Sequence, residues 1–256
     1  MVADVLATLE QNPRITHVFA DVFDTVLLRT TTPELERTRQ WAGWAHRVLA
    51  EGGVAPVPSA WALYAARVMA WRAAYATARL CEGCREPSLT DIFYLMVRAL
   101  GLGDQAIDLL HEAEIAYEKT QLRANASLIA QLKVCQQRGI KVIFVSDMFL
   151  SKADIEDLCH HCVPDFKWDG GYVSCESGLS KRGNGKLFEH VMMQEGCGPE
   201  QVLHLGDSRH SDFDSPRSKG IKAIHTPRSL GWRIVVSMRL ALFLMRLRLS
   251  GLEARR

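Results

Sequence analysis

The strongest constraint on the fold is a set of short apolar segments, each of which ends in polar residues. The three clearest are residues 15–20 (ITHVFA) before Asp21, residues 141–145 (KVIFV) before Ser146, and residues 201–205 (QVLHL) before residues 206–208 (GDS). Apolar runs of this length, rich in β-branched residues, are typical of buried strands. Because parallel strands end at the same edge of a sheet, we expect these polar residues to lie close together.

Helical segments separate the strands. Helical patterns cover about residues 152–161 and 185–195, and weaker strand patterns occur at residues 171–174 and 221–225. Strands that alternate with helices of this length are typical of βαβ units and of a parallel sheet. The sequence therefore predicts an α/β fold with a Rossmann-like parallel sheet as its core.

A long helical region interrupts this alternation after the first strand. Residues 33–133 are rich in Ala, Leu, Trp and Arg, are broken around residues 81–87, and contain no convincing strand pattern. We predict that residues 31–133 form an α-helical cap over the carboxyl edge of the sheet. The core then consists of residues 1–30 and 134–227.

The net charge argues against a dedicated nucleic-acid-binding protein. The chain has 31 Lys and Arg against 29 Asp and Glu, a net charge of +2, whereas phosphate contacts require a basic excess. The charge is uneven, because residues 228–256 contain seven Arg and one acid, a net charge of +6.

Within this basic tail, residues 231–249 predict an amphipathic helix with apolar residues almost all round and four arginines. That many arginines make a membrane-spanning helix improbable. We expect the helix to lie on an anionic membrane surface or to dock on a protein partner or on the protein's own surface.

Residues 1–14 lack the basic start and apolar stretch of a secretory signal, so we expect a cytoplasmic protein, with peripheral association at the inner membrane face through the tail. The pairs Cys81/Cys84 and Cys159/Cys162 have C-x-x-C spacing and could together bind zinc. Because the pairs are far apart in sequence and no other zinc-knuckle signature flanks them, we interpret them as small buried apolar residues.

Four motifs in chain order resemble those of the haloacid dehalogenase superfamily. They are DVFDT at Asp21, FVSD at Ser146, SKRGNGK at Lys181, and LGDSRHSD at Asp207. The resemblance spans roughly residues 16–227 and includes a helical cap after the first motif. Within the superfamily, the chain is most similar to a bacterial subgroup of hydrolases associated with glycosyltransferases of surface-polysaccharide synthesis.

The resemblance implies a Mg²⁺-dependent hydrolase, and specifically a phosphatase that acts on a small phosphorylated metabolite. Asp21 would attack phosphorus and form an aspartyl-phosphate that water hydrolyses. Asp21, the main-chain carbonyl of Phe23, and Asp207 would hold the metal, and Asp212 would bind or orient it through water. The subgroup further implies a sugar or nucleotide-sugar phosphate as substrate and a glycosyltransferase as partner.

The second and third motifs would bind the phosphoryl group. Ser146 would donate a hydrogen bond to a phosphoryl oxygen, and Lys181 would neutralise the charge of nucleophile and substrate. Lys186 is a rival for this role because SKRGNGK contains two lysines. We favour Lys181, since its distance from the apolar helix face at Leu187 and Phe188 fits the usual spacing of the family to within a residue.

The first motif departs from the phosphatase pattern. Phosphatases of the superfamily usually have an Asp two residues after the nucleophile as general acid, and Phe23 occupies this position. Asp24 could replace that acid, the cap could supply it, or the substrate could have a good leaving group. Asp24 could equally do no more than cap the turn after the strand.

An aromatic residue at this position also resembles the metal-free haloacid dehalogenases, which attack carbon. The fourth motif instead has the metal-binding form, and Asp21, Asp207 and Asp212 would repel one another if nothing neutralised them. We therefore prefer Mg²⁺-dependent phosphoryl hydrolysis to two alternatives. These are carbon-centred dehalogenation and a weakly active or non-catalytic binding module of a polysaccharide-synthesis system.

Overall fold

A computed structural model describes residues 4–249. Its strands are β1 (His17–Ala20), β2 (Leu27–Arg29), β3 (Leu80–Cys81), β4 (Cys84–Arg85), β5 (Leu122–Ala124), β6 (Lys141–Ser146), β7 (Gly170–Val173), β8 (Val202–Gly206) and β9 (Lys222–His225). Its α-helices are α1 (Val5–Glu10), α2 (Glu34–Glu51), α3 (Ala60–Thr77), α4 (Leu89–Leu100), α5 (Gln105–Gln121), α6 (Ala126–Gln137), α7 (Lys152–Cys162), α8 (Ser174–Ser177), α9 (Lys186–Glu195), α10 (Ser215–Ser218) and α11 (Leu230–Leu249). A π-helical turn at Arg209–Asp214 follows β8.

Five strands form a parallel sheet in the order β7-β6-β1-β8-β9. The first strand in sequence, β1, lies at the centre, and the strand order runs in opposite directions on its two sides. In open α/β sheets, ligands bind at the carboxyl ends of the strands at such a switch point. The predicted Rossmann-like α/β fold is confirmed, and β1 delivers Asp21 to this point.

Alternate residues of the central strand face opposite sides of the sheet, as strand geometry requires. Val18 and Ala20 belong to one buried apolar cluster, which also includes residues of α1 and α6. Phe19 belongs to a second cluster, with Leu187 and Phe188 of α9. Because both faces of the central strands are covered, β1, β6 and β8 are largely apolar, which makes them recognisable in the sequence.

The chain divides into two compact units. In the described part of the chain, the first contains residues 4–29, 79–88 and 122–228, and the second contains residues 30–78, 89–121 and 229–249. Residues 79–88 and 122–133, which the sequence analysis assigned to the cap, thus lie with the sheet. For residues 122–133, the reason is that β5 pairs antiparallel with β2, and α6 packs Leu128 and Leu132 into the core of the sheet.

Strands β3, β4 and β5 also correct the prediction that the inserted region has no strand. Each contains only two or three residues, which is too short to show a periodic pattern in sequence. In β3 and β4, Cys81 and Cys84 are cross-strand neighbours on either side of the turn at Glu82 and Gly83.

The second unit packs α2, α3, α4 and α5 around aromatic residues. Trp41 of α2 stacks on Phe93 of α4, with ring centroids 5.8 Å apart. The Arg67 guanidinium lies over both rings and forms a buried ion pair with Glu114, at 3.2 Å. A buried arginine thus has both a carboxylate and two aromatic faces as partners.

Gly171 of β7 tests the packing of the sheet. A Cβ at this position would lie 2.1 Å from two atoms of the Phe144 ring, so we expect Gly171→Ala to lower the free energy of unfolding by about 1–3 kcal/mol. At the neighbouring Gly170, a Cβ would meet its nearest atoms at 3.6 Å. In the control Gly170→Ala, the free energy of unfolding from urea titrations should stay within about 0.5 kcal/mol of the wild-type value. Equal losses in both variants would contradict this account of the packing.

Candidate active site

The carboxyl edge of the sheet brings together a lysine and two carboxylates. Asp21 directly follows β1, Lys181 lies between α8 and α9, and Asp212 lies in the π-helical turn after β8. The Lys181 Nζ donates to Asp21 Oδ1 and to Asp212 Oδ1, both at 2.7 Å. Asp21 is 8% exposed, Lys181 1% and Asp212 2%. One buried cation therefore joins two buried carboxylates from distant parts of the sequence.

A third carboxylate completes the cluster. Asp21, Asp207 and Asp212 each offer one oxygen, and these oxygens lie within 4.8 Å of one another. In the described part of the chain, the Asp207 carboxylate accepts no hydrogen bond. Burial, together with Asp24 and Asp212, raises its pKa to about 6. Three carboxylates against one lysine leave an excess of negative charge, which fits a divalent cation with oxygen ligands.

Burial and neighbouring charge act differently on the two partners of Lys181. Burial raises the pKa of Asp21, and Asp212 and Asp207 add to this rise against the opposing effect of Lys181. For Asp212, Lys181 and His204 outweigh burial and hold the pKa below its usual range. Burial would lower the pKa of Lys181, but the two carboxylates outweigh it and raise the pKa. The lysine is therefore charged, and Asp212 is its firmly ionised partner.

The backbone of Lys181 is fixed on both sides. Asp147 Oδ1 accepts from the Lys181 N–H at 2.7 Å and Oδ2 accepts from the Arg182 N–H at 3.1 Å, while Ser215 Oγ donates to the Lys181 carbonyl. The rival Lys186 lies on α9 instead, where its Nζ donates to Glu189 at 2.8 Å. The geometry thus brings Lys181 to the site and Lys186 to the surface.

Asp212 is held by three donors. Besides Lys181, the His204 ring Nε2 lies 3.0 Å from Oδ1, and the Ser208 N–H donates to Oδ2 at 3.1 Å. Burial lowers the pKa of His204, so the neutral ring donates through Nε2. Gly206 is needed here because a Cβ would lie 2.3 Å from the Asp212 carboxyl carbon.

The turn after β1 contains Phe23 and Asp24. The Phe23 ring is buried, and the Arg29 guanidinium lies 4.2 Å from its centroid. Asp24 has a positive φ of 61°, and its Oδ1 accepts from the Arg29 N–H at 3.2 Å and from Arg228 Nη1 at 2.5 Å. The Asp24 carboxylate is thus engaged with two arginines.

Ser146 ends β6, next to β1, and is 2% exposed. Within residues 4–249, its hydroxyl has no hydrogen-bond partner, so it is available to bind a ligand. Thr25 Oγ1 donates to the second oxygen of Asp21 at 3.2 Å. Lys181 and Thr25 together orient both oxygens of the Asp21 carboxylate.

Sequence reasoning missed three residues of the site. Thr25 and Asp147 both lie inside the quoted motifs, within five residues of the end of an apolar strand, and their polarity there was the available signal. The third is His204, and here the available signal was a histidine in the middle of an apolar strand, which requires a buried partner.

The four cysteines with C-x-x-C spacing do not come together as a metal site in the described part of the chain. Cys84 of β4 packs near Ser180, with Sγ and Oγ 3.4 Å apart. Burial raises the pKa of Cys159 to about 12 and also raises that of Cys162. The Cys159 and Cys162 thiols are therefore protonated.

The buried ion cluster predicts a large effect of Lys181→Met. Removing the lysine leaves two buried carboxylates without their cation, so the free energy of unfolding in EDTA should fall by about 3–5 kcal/mol. Adding Asp212→Asn should recover part of this loss. Lys186→Met is the matched control, because its ion pair is on the surface and should cost no more than about 1 kcal/mol. Similar losses for the two lysines would contradict the cluster.

No protein-family model and no curated protein matches this sequence. Solved structures do match. A 2-haloacid dehalogenase from Pseudomonas syringae pv. tomato DC3000 has a TM-score of 0.54 and 16% identity, over 82% of this chain and 86% of that chain. An L-2-haloacid dehalogenase has a TM-score of 0.52 and 15% identity, over 85% of this chain and 87% of that chain.

A haloacid dehalogenase family enzyme from Bacteroides thetaiotaomicron has a TM-score of 0.53 and 13% identity, over 86% of this chain and 98% of that chain. These similarities extend over most of both chains, and the sheet order and the site at the end of β1 agree with the four sequence motifs. The chain has the fold of the haloacid dehalogenase-like hydrolases.

Proposed function

We propose that the protein is a Mg²⁺-dependent phosphatase of a small phosphorylated metabolite. The observation that carries this proposal is the excess negative charge of the Asp21, Asp207 and Asp212 cluster, which a single lysine does not balance. Mg²⁺ prefers carboxylate and carbonyl oxygens. Phosphoryl transfer is the reaction in which such a cation, a buried lysine and a carboxylate nucleophile all have a role.

Asp21, the carbonyl of Phe23 and Asp207 would hold the metal directly. Asp212 already accepts hydrogen bonds from three groups of the protein, so we assign it mainly to orienting Lys181. When bound, Mg²⁺ would neutralise charge on the phosphoryl oxygens that otherwise repels an anionic nucleophile.

The Asp21 carboxylate is the proposed nucleophile. It forms a bond to phosphorus while the bond to the leaving group breaks, and water then hydrolyses the aspartyl-phosphate and releases inorganic phosphate. Lys181 and Thr25 support this role because they hold the carboxylate in one orientation. The Ser146 hydroxyl would donate to a phosphoryl oxygen.

Of the alternatives for the general acid, we favour a substrate with a good leaving group. Phe23 has no proton to give, and the Asp24 carboxylate is engaged with Arg29 and Arg228. A leaving group that departs as a stable anion needs little protonation, so the missing general acid then costs little rate.

Phosphatase activity is tested with a panel of phosphate esters that includes sugar phosphates and p-nitrophenyl phosphate, with Mg²⁺ or EDTA. We expect phosphate release only with Mg²⁺, and a loss of at least about a thousandfold in Asp21→Asn. The control Asp165→Asn changes an exposed carboxylate of the same unit and should retain full activity. Metal-independent halide release from 2-haloacids would instead support dehalogenation, and inactivity on both substrate classes would favour a binding module.

The role of Asp24 is tested by comparing leaving groups. In Asp24→Asn we expect similar losses of kcat/KM for p-nitrophenyl phosphate and for an alkyl phosphate, because Asp24 supports the turn rather than donating a proton. A selective loss of about 10²- to 10⁴-fold with the alkyl phosphate would identify Asp24 as the general acid.

A further inference from the structure

Helix α11 exposes large apolar side chains along its whole length. None of its described residues is buried, and Met238 and Leu242 are 61% and 49% exposed. The other exposed large apolar residues of this helix are Leu230, Ile234, Val235, Met245 and Leu249. Twenty residues correspond to about 30 Å of helix, so this is an extended surface rather than an isolated side chain.

These side chains share one face. Successive residues of an α-helix are rotated by about 100° around its axis. On this basis, the exposed apolar residues from Ile234 to Leu249 all project from about 100° of the helix circumference. The residues of the opposite arc are half-buried, and they are Trp232, Val236, Leu240, Phe243 and Leu247. Arg239 Nη2 also pairs with Glu36 of α2 at 3.2 Å. The helix therefore packs through one apolar face and exposes a second, which we term the α11 outer face.

Arginines flank the α11 outer face on both edges. Arg246 lies about 20° beyond Val235 on one edge, and Arg248 lies about 40° beyond Ile234 on the other. Both arginines are exposed, and Leu230–Leu249 contains no acidic residue. An apolar strip between two basic edges is the pattern of a helix at a bilayer interface, because arginines reach the headgroups while the strip enters the acyl boundary.

We propose that the α11 outer face binds an anionic lipid surface, with the helix lying in the plane of the interface. No helix in residues 4–249 is long and apolar enough to cross a membrane. The proposal concerns where the protein acts and is independent of the reaction at Asp21.

A second copy of the chain is the main alternative occupant. Val235, Met238, Leu242, Met245 and Leu249 are spaced 3-4-3-4, as in a two-helix seam. In that seam, Arg246 and Arg248 would occupy positions beside the contact, and α11 of the second copy has no acid to place opposite them. Two copies therefore bring like charges together, whereas anionic lipids supply the opposite charge.

The test is co-sedimentation of the full chain with vesicles of phosphatidylcholine alone or of phosphatidylcholine and phosphatidylglycerol at 3:1. We expect binding only to the anionic vesicles and release in 0.5 M NaCl. Leu242→Asp should weaken binding at least tenfold more than Ser237→Asp. Both substitutions add one negative charge at an exposed position of α11, but Ser237 lies outside the outer face. The difference between the two variants thus reports apolar insertion, and circular dichroism confirms that each is folded.

Three outcomes would overturn the proposal. They are no pelleting of the wild-type chain with either vesicle, equal binding to both vesicle types, and equal effects of Leu242→Asp and Ser237→Asp. Light scattering after size exclusion, in the absence of lipid, measures whether the chain is a monomer or a dimer. A dimer that Leu242→Asp dissociates would assign the α11 outer face to a second copy instead.

Discussion

The ion cluster of Lys181 with Asp21 and Asp212 is the interaction on which the site depends. Each of these charges would be costly in the interior alone, and together they are tolerated because one ammonium donates to two carboxylates. The cluster joins the loop after β1, the loop before α9 and the turn after β8. The groups that carry the proposed chemistry therefore also hold the carboxyl edge of the sheet together.

A set of hydrogen bonds around the cluster keeps it in place. Asp147 and Ser215 fix the backbone of Lys181, and His204 fixes Asp212 from inside the sheet. Gly206 leaves the space that the Asp212 carboxyl group occupies. Because each constraint acts on a different atom, small displacements of one loop are resisted by the others, which is the condition for a preorganised site.

The sequence predicted the centre of the sheet well because β1, β6 and β8 are buried on both faces and read as apolar runs, so that the ends of β6 and β8 lie within one residue of their predicted bounds. It also indicated Asp21, since polar residues directly after such strands meet at one edge, whereas Lys181 and Asp212 were indicated by the resemblance of the third and fourth motifs. It could not reveal β3, β4 and β5, because two or three residues are too few to show an alternating pattern of apolar and polar residues. Nor could it show that Asp24 pairs with Arg228, because that contact joins positions about 200 residues apart.

The central position of β1 has a consequence for synthesis. Its neighbours in the sheet begin at Lys141 and Val202, so more than a hundred residues must leave the ribosome before this apolar strand has either partner. The helices between residues 34 and 121 contact one another across shorter separations in sequence, so they can assemble first. The strand that ends at Asp21 thus stays unpaired until the rest of its sheet is synthesised, and during that interval the chain is most open to aggregation and to chaperones.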